Sequence, residues 1–399
     1  MGPIAKRIRK TKASLRKLPL KVEGLRYLLV DSVGRDERPV IGFHIIGGMG
    51  DHLMAARFIR DFVDQAGEVS FDVYSLRPAM AQWVFDKIPK LRHVRDARSD
   101  LRWTRRRYDL FATLMGYVKV DHVASPDRRD HWEPELRQAC EAITRQSGSL
   151  RKFTRSQPSL DGYFGQYVSL LGANRQTFAH HMADLHYPGD QLDLPVDTVV
   201  LSRHSLSSGR YITVSNGYDE TTPLKPGQRV TKVYDGHGEI VARLKRLHPE
   251  LQVVQIGSAT STPLPQADLN LVGRTTLPEV ATLLQHARFH LDNEGGLVHL
   301  ARCMGTRCCV VFGPTSPSYF GYEANLNIVP TICGNCWWMD DAWMTKCLHG
   351  DATPRCMQTH DPAHIAGLIA NTFWREPQST VLSWIQALPS SDTPLAAVH

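Results

Sequence analysis

The sequence predicts an α/β fold built from two Rossmann-like, doubly wound domains that face a cleft. Each half of the chain contains a strand that runs into a glycine-rich turn and then a helix, at residues 47–51 and 294–296. In the second half, short apolar segments alternate with helical ones, which is typical of a parallel sheet with helices on both faces. A chain of 399 residues is long enough for two such domains, each with its own core.

The composition indicates a globular chain, with 42% hydrophobic and 22% charged residues. The sequence has no run of 18 apolar residues, and its basic N-terminus lacks the apolar stretch of a signal peptide. We therefore expect a cytoplasmic protein. Its eight cysteines should be reduced there, so clustered cysteines indicate metal ligands or redox groups before disulfides.

Positive charge is concentrated in a basic N-terminal arm, residues 1–26. The first 22 residues carry eight Lys and Arg and no acidic residue, and the net charge of the chain is +7, so the remainder is nearly neutral. Such an arm can bind an anionic membrane surface, which would hold the protein peripherally at the inner face of the membrane, or it can bind nucleic acid. A disordered, solubilising tail is the alternative.

An N-terminal domain is expected at residues 27–200, with strands at 39–46, 69–76 and 108–114 and helices at 79–85, 133–144 and 162–171. The turn GGMGD, residues 47–51, does not match the dinucleotide fingerprint, because Leu53 stands at the third glycine position. Asp51 is either the N-cap of the next helix or a carboxylate at the carboxyl end of a parallel strand, where ligands of open α/β sheets bind.

A C-terminal domain is expected at residues 201–372, followed by a C-terminal helix and tail at 373–399. Its predicted strands are 211–215, 251–256, one ending at Asp292, and 308–312; its helices are 236–247, 277–284 and one that contains His299. Gly295 and Gly296 would lie at the first turn of that last helix, where free N–H groups and the positive end of the helix dipole bind phosphate. The alternative is that they are ordinary turn glycines.

Four cysteines form a cluster within residues 333–356. Cys333 and Cys336 make a Cys-x₂-Cys pair, and Cys347 and Cys356 follow within 20 residues. This spacing predicts a tetrathiolate site for structural zinc or iron, in a segment too short to form a core of its own. A disulfide or redox pair and unliganded thiols are the alternatives.

Several motifs together resemble glycosyltransferase family 9, the heptosyltransferase-like enzymes of the GT-B fold. They occur in the family's order: GGMGD at 47–51, TK at 231–232, LVGRTTLPEVATLL at 271–284, EGGLVHLARCMGT at 294–306 and FGPTSP at 312–317. The cysteine cluster is similar to the cysteine finger that autotransporter heptosyltransferases hold with iron. Residues 1–35 and roughly 95–160 lie outside the resemblance.

The resemblance implies a role for each matching residue. Asp51 corresponds to the catalytic base. Lys232, Gly295, Gly296 and His299 correspond to groups around the donor pyrophosphate; without the resemblance, Lys232 would be a surface lysine and His299 a helix histidine with its bonds satisfied. The complete expected set is, on the donor side, Asn216, Gly217, Lys232, Gly257, Glu294, Gly295, Gly296 and His299, and on the acceptor side, Gly48, Gly50 and Thr315.

The implied reaction is inverting glycosyl transfer from a nucleotide-diphosphate sugar to a hydroxyl of a surface polysaccharide, other surface glycan or lipid-linked acceptor. No catalytic divalent metal is expected, since the chain lacks an Asp-x-Asp motif. Two alternatives stay open: a glycosyltransferase acting on protein or modified DNA, and a non-catalytic GT-B scaffold or glycan-binding protein. The donor sugar and nucleotide are open, and so is a homo-oligomer.

Overall fold

The structure is a computed structural model of the 399-residue chain. It describes residues 38–98, 104–150, 153, 161–220, 222 and 224–374. The predicted arm at 1–26 lies outside these ranges, and so do residues 375–399 of the predicted C-terminal segment. None of the helices in the described ranges combines the length and apolarity needed to cross a membrane.

The described residues form eleven strands, thirteen α-helices and one short 3-10 helix, Arg105–Arg107. The strands are β1 (Val40–Ile45), β2 (Ser70–Ser75), β3 (Leu91–Asp96), β4 (Leu110–Leu114), β5 (Val118–Val123), β6 (Tyr211–Val214), β7 (Gln252–Gln255), β8 (Leu269–Asn270), β9 (His290–Asn293), β10 (Cys308–Val311) and β11 (Leu326–Ile328). The helices are α1 (Met49–Gln65), α2 (Pro78–Phe85), α3 (Pro126–Arg129), α4 (Pro134–Ser149), α5 (Asp161–Leu170), α6 (Phe178–Met182), α7 (Val200–Arg203), α8 (His237–Leu247), α9 (Leu277–Gln285), α10 (Gly296–Cys303), α11 (Pro317–Phe320), α12 (Arg355–Gln358) and α13 (Pro362–Phe373).

The first sheet has five strands in the order β3-β2-β1-β4-β5. The pairs among β3, β2, β1 and β4 are parallel, whereas β5 is antiparallel to β4. The turn at residues 115–117 explains this reversal, because a three-residue connection can return a chain only as a hairpin, and a parallel strand needs a long crossover. The sequence pattern predicted neither β3 nor β5. The edge strand β3 carries Arg92, His93 and Arg95, which hide any apolar alternation.

The second sheet has six strands in the order β11-β10-β9-β6-β7-β8, and all of its pairs are parallel. Read from β8, this is the strand order of a doubly wound Rossmann sheet. The predicted fold class, a mixed α/β protein with two Rossmann-like sheets, is therefore confirmed. The short strands β8 and β11 were not predicted, because two or three residues are too few to show a pattern.

Ligands of doubly wound sheets bind where the strand order reverses, beyond the carboxyl ends of the two strands that flank the reversal. In the first sheet that point lies between β1 and β4, directly before the turn that carries Asp51. In the second sheet it lies between β6 and β9, directly before Asn216 and before Glu294. The topology thus directs the two glycine-rich turns to the ligand-binding edges of their sheets.

Helices α1 and α10 pack against each other and connect the two sheets. Both helices contribute apolar side chains to one core cluster: Leu53 and Phe58 of α1 and Val298 and Leu300 of α10 belong to it and are at most 3% exposed. Burying each of these side chains contributes about 1.5–3 kcal/mol to the free energy of folding. Because each helix begins at a glycine-rich turn, this packing brings the two turns together.

Candidate active site

Asp51 lies in the first turn of α1. The helix begins after Gly48, which is the N-cap, so the alternative in which Asp51 is the N-cap is wrong by three residues. Its carboxylate instead reaches back, and Oδ2 accepts a hydrogen bond of 2.7 Å from the Gly48 N–H. This bond fixes the turn, and the positive end of the helix dipole favours the charged carboxylate.

The second oxygen of Asp51 contacts Arg175, a residue that the sequence analysis did not select. Arg175 Nη2 donates to Asp51 Oδ1, and the two side chains are 11% and 30% exposed. The Arg175 N–H also donates to the Tyr319 carbonyl at 2.8 Å, which ties this loop to the second half of the chain. Beside the pair is a narrow pocket at the ends of β1 and β4, with apolar walls formed by Met54, Ala55, Leu114, Met115 and Ala179.

The turn before α10 meets the turn before α1. Gly295 is the N-cap of α10 and has an extended backbone, with φ at −179°, and an added Cβ would have only a carbonyl oxygen, 4.0 Å away, as a neighbour. Gly296 differs, because its Cβ would lie 3.0 Å from the Met49 Cε. Gly296 therefore permits the close approach of the Asp51 turn, and Gly295 keeps the space beyond the helix open. The first N–H groups of α10 have no intrahelical acceptor and can bind an anion.

Lys232, Glu294 and His299 form a cluster at the start of α10, in which Glu294 and His299 are buried and Lys232 is half-buried. Glu294 Oε2 lies 3.3 Å from Lys232 Nζ, and Glu294 Oε1 lies 3.7 Å from His299 Nε2. Burial by itself would raise the pKa of Glu294, but the charge of Lys232 and the contact with His299 outweigh it and hold that pKa at about 2. Burial lowers the pKa of His299, against the opposing effect of Glu294. Two positive or hydrogen-donating groups thus converge on one carboxylate.

Two of the three residues expected on the acceptor side lie at the turn of α1. Gly48 is beside Asp219, whose Oδ2 would be 3.2 Å from an added Cβ, and Gly50 is against His299. Thr315, the third, is only 1% exposed, and its Oγ1 has no hydrogen-bond partner among the described residues. Gly48 and Gly50 therefore lie where the turn of α1 meets residues of the second half of the chain, whereas Thr315 is buried.

The residues after β6 and β7 build one wall of the site. Asn216 uses its side-chain amide within that wall, since Nδ2 donates to the Thr262 carbonyl at 3.0 Å. Gly217 and Gly257 both pack on Ser261, whose Oγ would lie 2.3 and 2.4 Å from a Cβ added at either glycine. These contacts hold the loops after β6 and β7 together. The roles of the three residues toward a donor remain predictions.

An ion pair spans the cleft between the two sheets. Arg77, which follows β2, donates through Nη2 to both oxygens of Asp219, which follows β6, at 2.7 and 3.0 Å. The two side chains are about one-third exposed. Because an exposed ion pair contributes about 1 kcal/mol or less, it can open without unfolding either sheet.

The cysteine segment contains neither helix nor strand between β11 and α12. Cys333, Cys336, Cys347 and Cys356 all line one cavity of about 240 Å³. Burial, and then the nearby charges of the other three thiols, raise the pKa of Cys356 to about 12. As the thiols are placed, no group of three or more His, Cys, Asp or Glu side chains in the described residues could hold a metal ion. All eight cysteines are free.

This segment also contacts the loops of the site. Thr231, next to Lys232, donates from its backbone N–H to the Met344 carbonyl at 2.9 Å and from Oγ1 to the Trp343 carbonyl at 2.8 Å. The N–H of Trp337 donates to the Pro314 carbonyl at 2.9 Å, beside Thr315. The cysteine segment therefore supports both the lysine loop and the loop after β10.

Part of the sequence matches the model of a known protein family. The family model "Glycosyltransferase family 9 (heptosyltransferase)" matches residues 249–342. Among curated proteins, none matches the sequence. The match to the family model confirms the resemblance drawn from the motifs, and it supports the same enzyme class: the chain is a glycosyltransferase.

Solved structures share the architecture at low sequence identity. ADP-heptose LPS heptosyltransferase II of E. coli is 16% identical with a TM-score of 0.51, over 84% of this chain and 98% of that chain. The dodecameric iron-containing heptosyltransferase TibC in complex with ADP-D-β-D-heptose is 14% identical with a TM-score of 0.53, over 85% and 77%. A second structure of TibC, from enterotoxigenic E. coli H10407, is 15% identical with a TM-score of 0.52, over 84% of this chain and 76% of that chain. The two sheets thus have the GT-B arrangement of these enzymes.

Proposed function

We propose that this glycosyltransferase moves a sugar from a nucleotide-diphosphate donor to a hydroxyl of a surface glycan or lipid-linked acceptor, with inversion at the anomeric carbon. Residues 27–200 would hold the acceptor and residues 201–372 the donor. One observation carries the proposal: the turn that bears Asp51 packs directly on the N-terminus of α10, with Gly296 beside Met49 and His299 beside Gly50. A carboxylate and an anion-binding helix end therefore face one cleft.

In this proposal Asp51 removes the proton from the acceptor hydroxyl as that oxygen attacks the anomeric carbon. The nucleoside diphosphate leaves on the opposite face, where negative charge develops. The N–H groups at the start of α10, the Lys232 ammonium and His299 stabilise that charge without a catalytic divalent metal. Lys232 is already held by Glu294, so a bound diphosphate competes with an internal carboxylate for the same cation.

ADP-heptose is the first donor to test, because heptosyltransferase II of E. coli is an ADP-heptose enzyme and TibC binds ADP-D-β-D-heptose. This chain has Glu294-Gly295-Gly296 at the donor turn and Ser258 to Ser261 after Gly257. The family more often has Asp-Ser/Thr-Gly and a glutamate at these two places. A panel of nucleotide sugars should therefore accompany ADP-heptose.

We also propose that Cys333, Cys336, Cys347 and Cys356 bind one structural zinc or iron ion. Support comes from the cavity that all four cysteines line and from the iron in the similar enzyme TibC. The thiols would have to converge and lose their protons, since their present arrangement holds no ion. When bound, the metal would cross-link a segment that has no regular structure of its own.

Partners beyond the donor and acceptor follow from the arm and from the related enzymes. The basic arm would bring the chain to an anionic membrane surface on the cytoplasmic side, where a lipid-linked acceptor is found. Deleting residues 1–22 should then lower binding to anionic vesicles and leave KM for a soluble acceptor fragment unchanged. Because TibC is dodecameric, a homo-oligomer is expected, and light scattering measures its size.

The test is release of nucleoside diphosphate and sugar transfer from ADP-heptose and a nucleotide-sugar panel to extracted surface glycan. Asp51→Asn should lower kcat by about 10² to 10⁴-fold, because it removes the general base and keeps the size of the side chain. Asp64→Asn, in the exposed end of the same helix, is the matched control and should have wild-type activity. Full activity of Asp51→Asn would disprove the role of the base.

Other outcomes identify the alternatives. Binding of donors with no hydrolysis or transfer from any of them would favour a non-catalytic glycan-binding scaffold. Transfer to a protein or to modified DNA, with none to glycan, would favour the other enzyme class. Either result would overturn the proposed acceptor.

A further inference from the structure

A buried chain of polar contacts connects α1 to His299. Arg57, on the same helix as Asp51, is 0% exposed, and its Nη1 lies 3.0 Å from the hydroxyl oxygen of Tyr322. That oxygen lies 2.8 Å from His299 Nδ1. The other guanidinium nitrogen, Nη2, donates to Cys303 Sγ at 3.1 Å. The chain of contacts therefore crosses from the first half of the protein into α10.

The chemistry of the three groups limits the directions that these hydrogen bonds can take. A guanidinium can only donate, so the Tyr322 oxygen accepts from Arg57. A phenol oxygen that accepts one hydrogen bond can still donate its own hydrogen, so the Tyr322 O–H can point to His299 Nδ1 when that nitrogen carries no proton. In that arrangement the single N–H of a neutral imidazole is on Nε2, the nitrogen that lies 3.7 Å from Glu294 Oε1.

The surroundings of His299 favour its neutral form. Burial lowers its pKa, Glu294 raises it, and the positive charges of Arg57 and Arg175 lower it. Gly50 covers the remaining edge of the ring, at Cδ2. A second proton on Nδ1 would oppose the Tyr322 O–H, which would then have no acceptor on this side.

We propose that Tyr322 and Arg57 are positioning residues that keep His299 neutral with its proton on Nε2, so that this N–H is donated to the departing diphosphate. The inference rests on the proposed function, in which His299 lies at the leaving group. A neutral donor with a fixed direction stabilises developing charge without reorganising at the moment of reaction. Since Arg57 and Asp51 belong to one helix, a shift of α1 would move the base and the leaving-group donor together.

The first measurement needs no variant. In protein labelled with ¹⁵N-histidine, with and without ADP as the probe, the spectrum of His299 should show a protonated Nε2 and an unprotonated Nδ1. The signal is assigned by its loss in His299→Gln, which is needed because the chain has 18 histidines. A protonated Nδ1 would overturn the proposal, whatever the variants do.

The second measurement removes only the hydroxyl. Tyr322→Phe should reduce kcat with ADP-heptose by about 10 to 100-fold and change KM for the donor little, because the bound donor is held but its leaving group is poorly oriented. The acidic limb of the pH profile should move to higher pH, since Nδ1 loses a hydrogen bond that favours its unprotonated form. A merely structural role would not produce that shift.

Tyr211→Phe is the matched control, because Tyr211 is also fully buried and donates one hydrogen bond, of 2.7 Å, to the Leu283 carbonyl. It should retain the wild-type pH profile. If His299→Gln is inactive and Tyr322→Phe behaves as wild type, the positioning role is wrong and the proposed function stands. If His299→Gln itself retains wild-type kcat, the role of His299 in the proposed function fails.

Discussion

Gly50 and His299 are in such close contact that a Cβ added to Gly50 would lie 2.5 Å from the His299 Cδ2. We therefore expect Gly50→Ala to push the imidazole out of place and reduce kcat/KM by about 100-fold, as a displacement of about 1 Å can do in a site that depends on orientation. Steady-state kinetics with ADP-heptose measures the effect.

Gly148→Ala is the control for that substitution. Gly148 lies inside α4, and an added Cβ there would have no atom within 4 Å. Alanine in a helix should stabilise the fold by about 0.4–1 kcal/mol and leave kinetics unchanged. If Gly50→Ala has wild-type kinetics too, the two turns do not approach each other as closely in solution.

The pair of Glu294 and Lys232 should give the stability of the protein a specific dependence on pH. The pKa of Glu294 is lowered from 4.5 to about 2 in the fold, so the charged form stabilises the protein above pH 4.5, and the effect is lost as pH falls towards 2. A shift of this size corresponds to about 3 kcal/mol. Glu294→Gln should therefore lower the free energy of unfolding at pH 7 by about that amount, and less so near pH 3.

Urea titrations at pH 7, 5 and 3 compare each variant with wild type at the same pH. Glu250→Gln is the control, since the Glu250 side chain is 68% exposed. A difference for Glu294→Gln that stays constant from pH 7 to 3 would show that the carboxylate is not held by Lys232.

Thr231 should connect the cysteine segment to donor binding. Thr231→Val removes the hydrogen bond from Oγ1 to the Trp343 carbonyl but keeps the backbone bond. Loss of one hydrogen bond of about 1 kcal/mol next to Lys232 should weaken ADP binding about fivefold, as measured by calorimetry. Thr345→Val is the control, because Thr345 is half-buried in the same segment and its hydroxyl bonds only locally, to the Ala342 carbonyl. Equal affinities for the two variants would contradict the connection.

Metal content should follow the four cysteines. Purified protein should contain one zinc or iron per chain by elemental analysis, and Cys336→Ser should lose it, because serine is a poor ligand for these ions. Metal at about 100 times its Kd should raise the free energy of unfolding by about 3 kcal/mol. Cys140→Ser, which changes a buried cysteine in α4, should keep the metal. If wild-type protein is purified without metal, and added metal does not change its free energy of unfolding, the thiols are unliganded.

The main strands could be predicted because their residues are apolar on both faces. The segment predicted at 39–46 is β1, and the segment predicted at 308–312 is β10, both covered by helices on either side. β3 and β5 could not be predicted in this way. Both are edge strands with charged side chains. They form because their backbones pair with β2 and β4, and a local sequence pattern does not show that pairing.

The residues of the site also differ in whether the sequence could predict them. Asp51, Glu294 and Gly296 could be selected because a strand, a glycine-rich turn and a helix are consecutive in the sequence. Arg175 and Tyr322 could not, because each is a single polar residue in a loop with no local pattern. They reach the site only through contacts with residues 124 and 23 positions away.

The sequence by itself determined the fold class, the two glycine-rich turns and the family resemblance, since periodicity, turn residues and motif order are local properties of the chain. Only the tertiary structure decided that α1 and α10 pack against each other, that Arg175 contacts Asp51, and that the Tyr322 hydroxyl lies within hydrogen-bond distance of His299. The physical reason is that hydrogen bonds and ion pairs depend on distances of about 3 Å between atoms. Such distances are set by packing between elements remote in sequence.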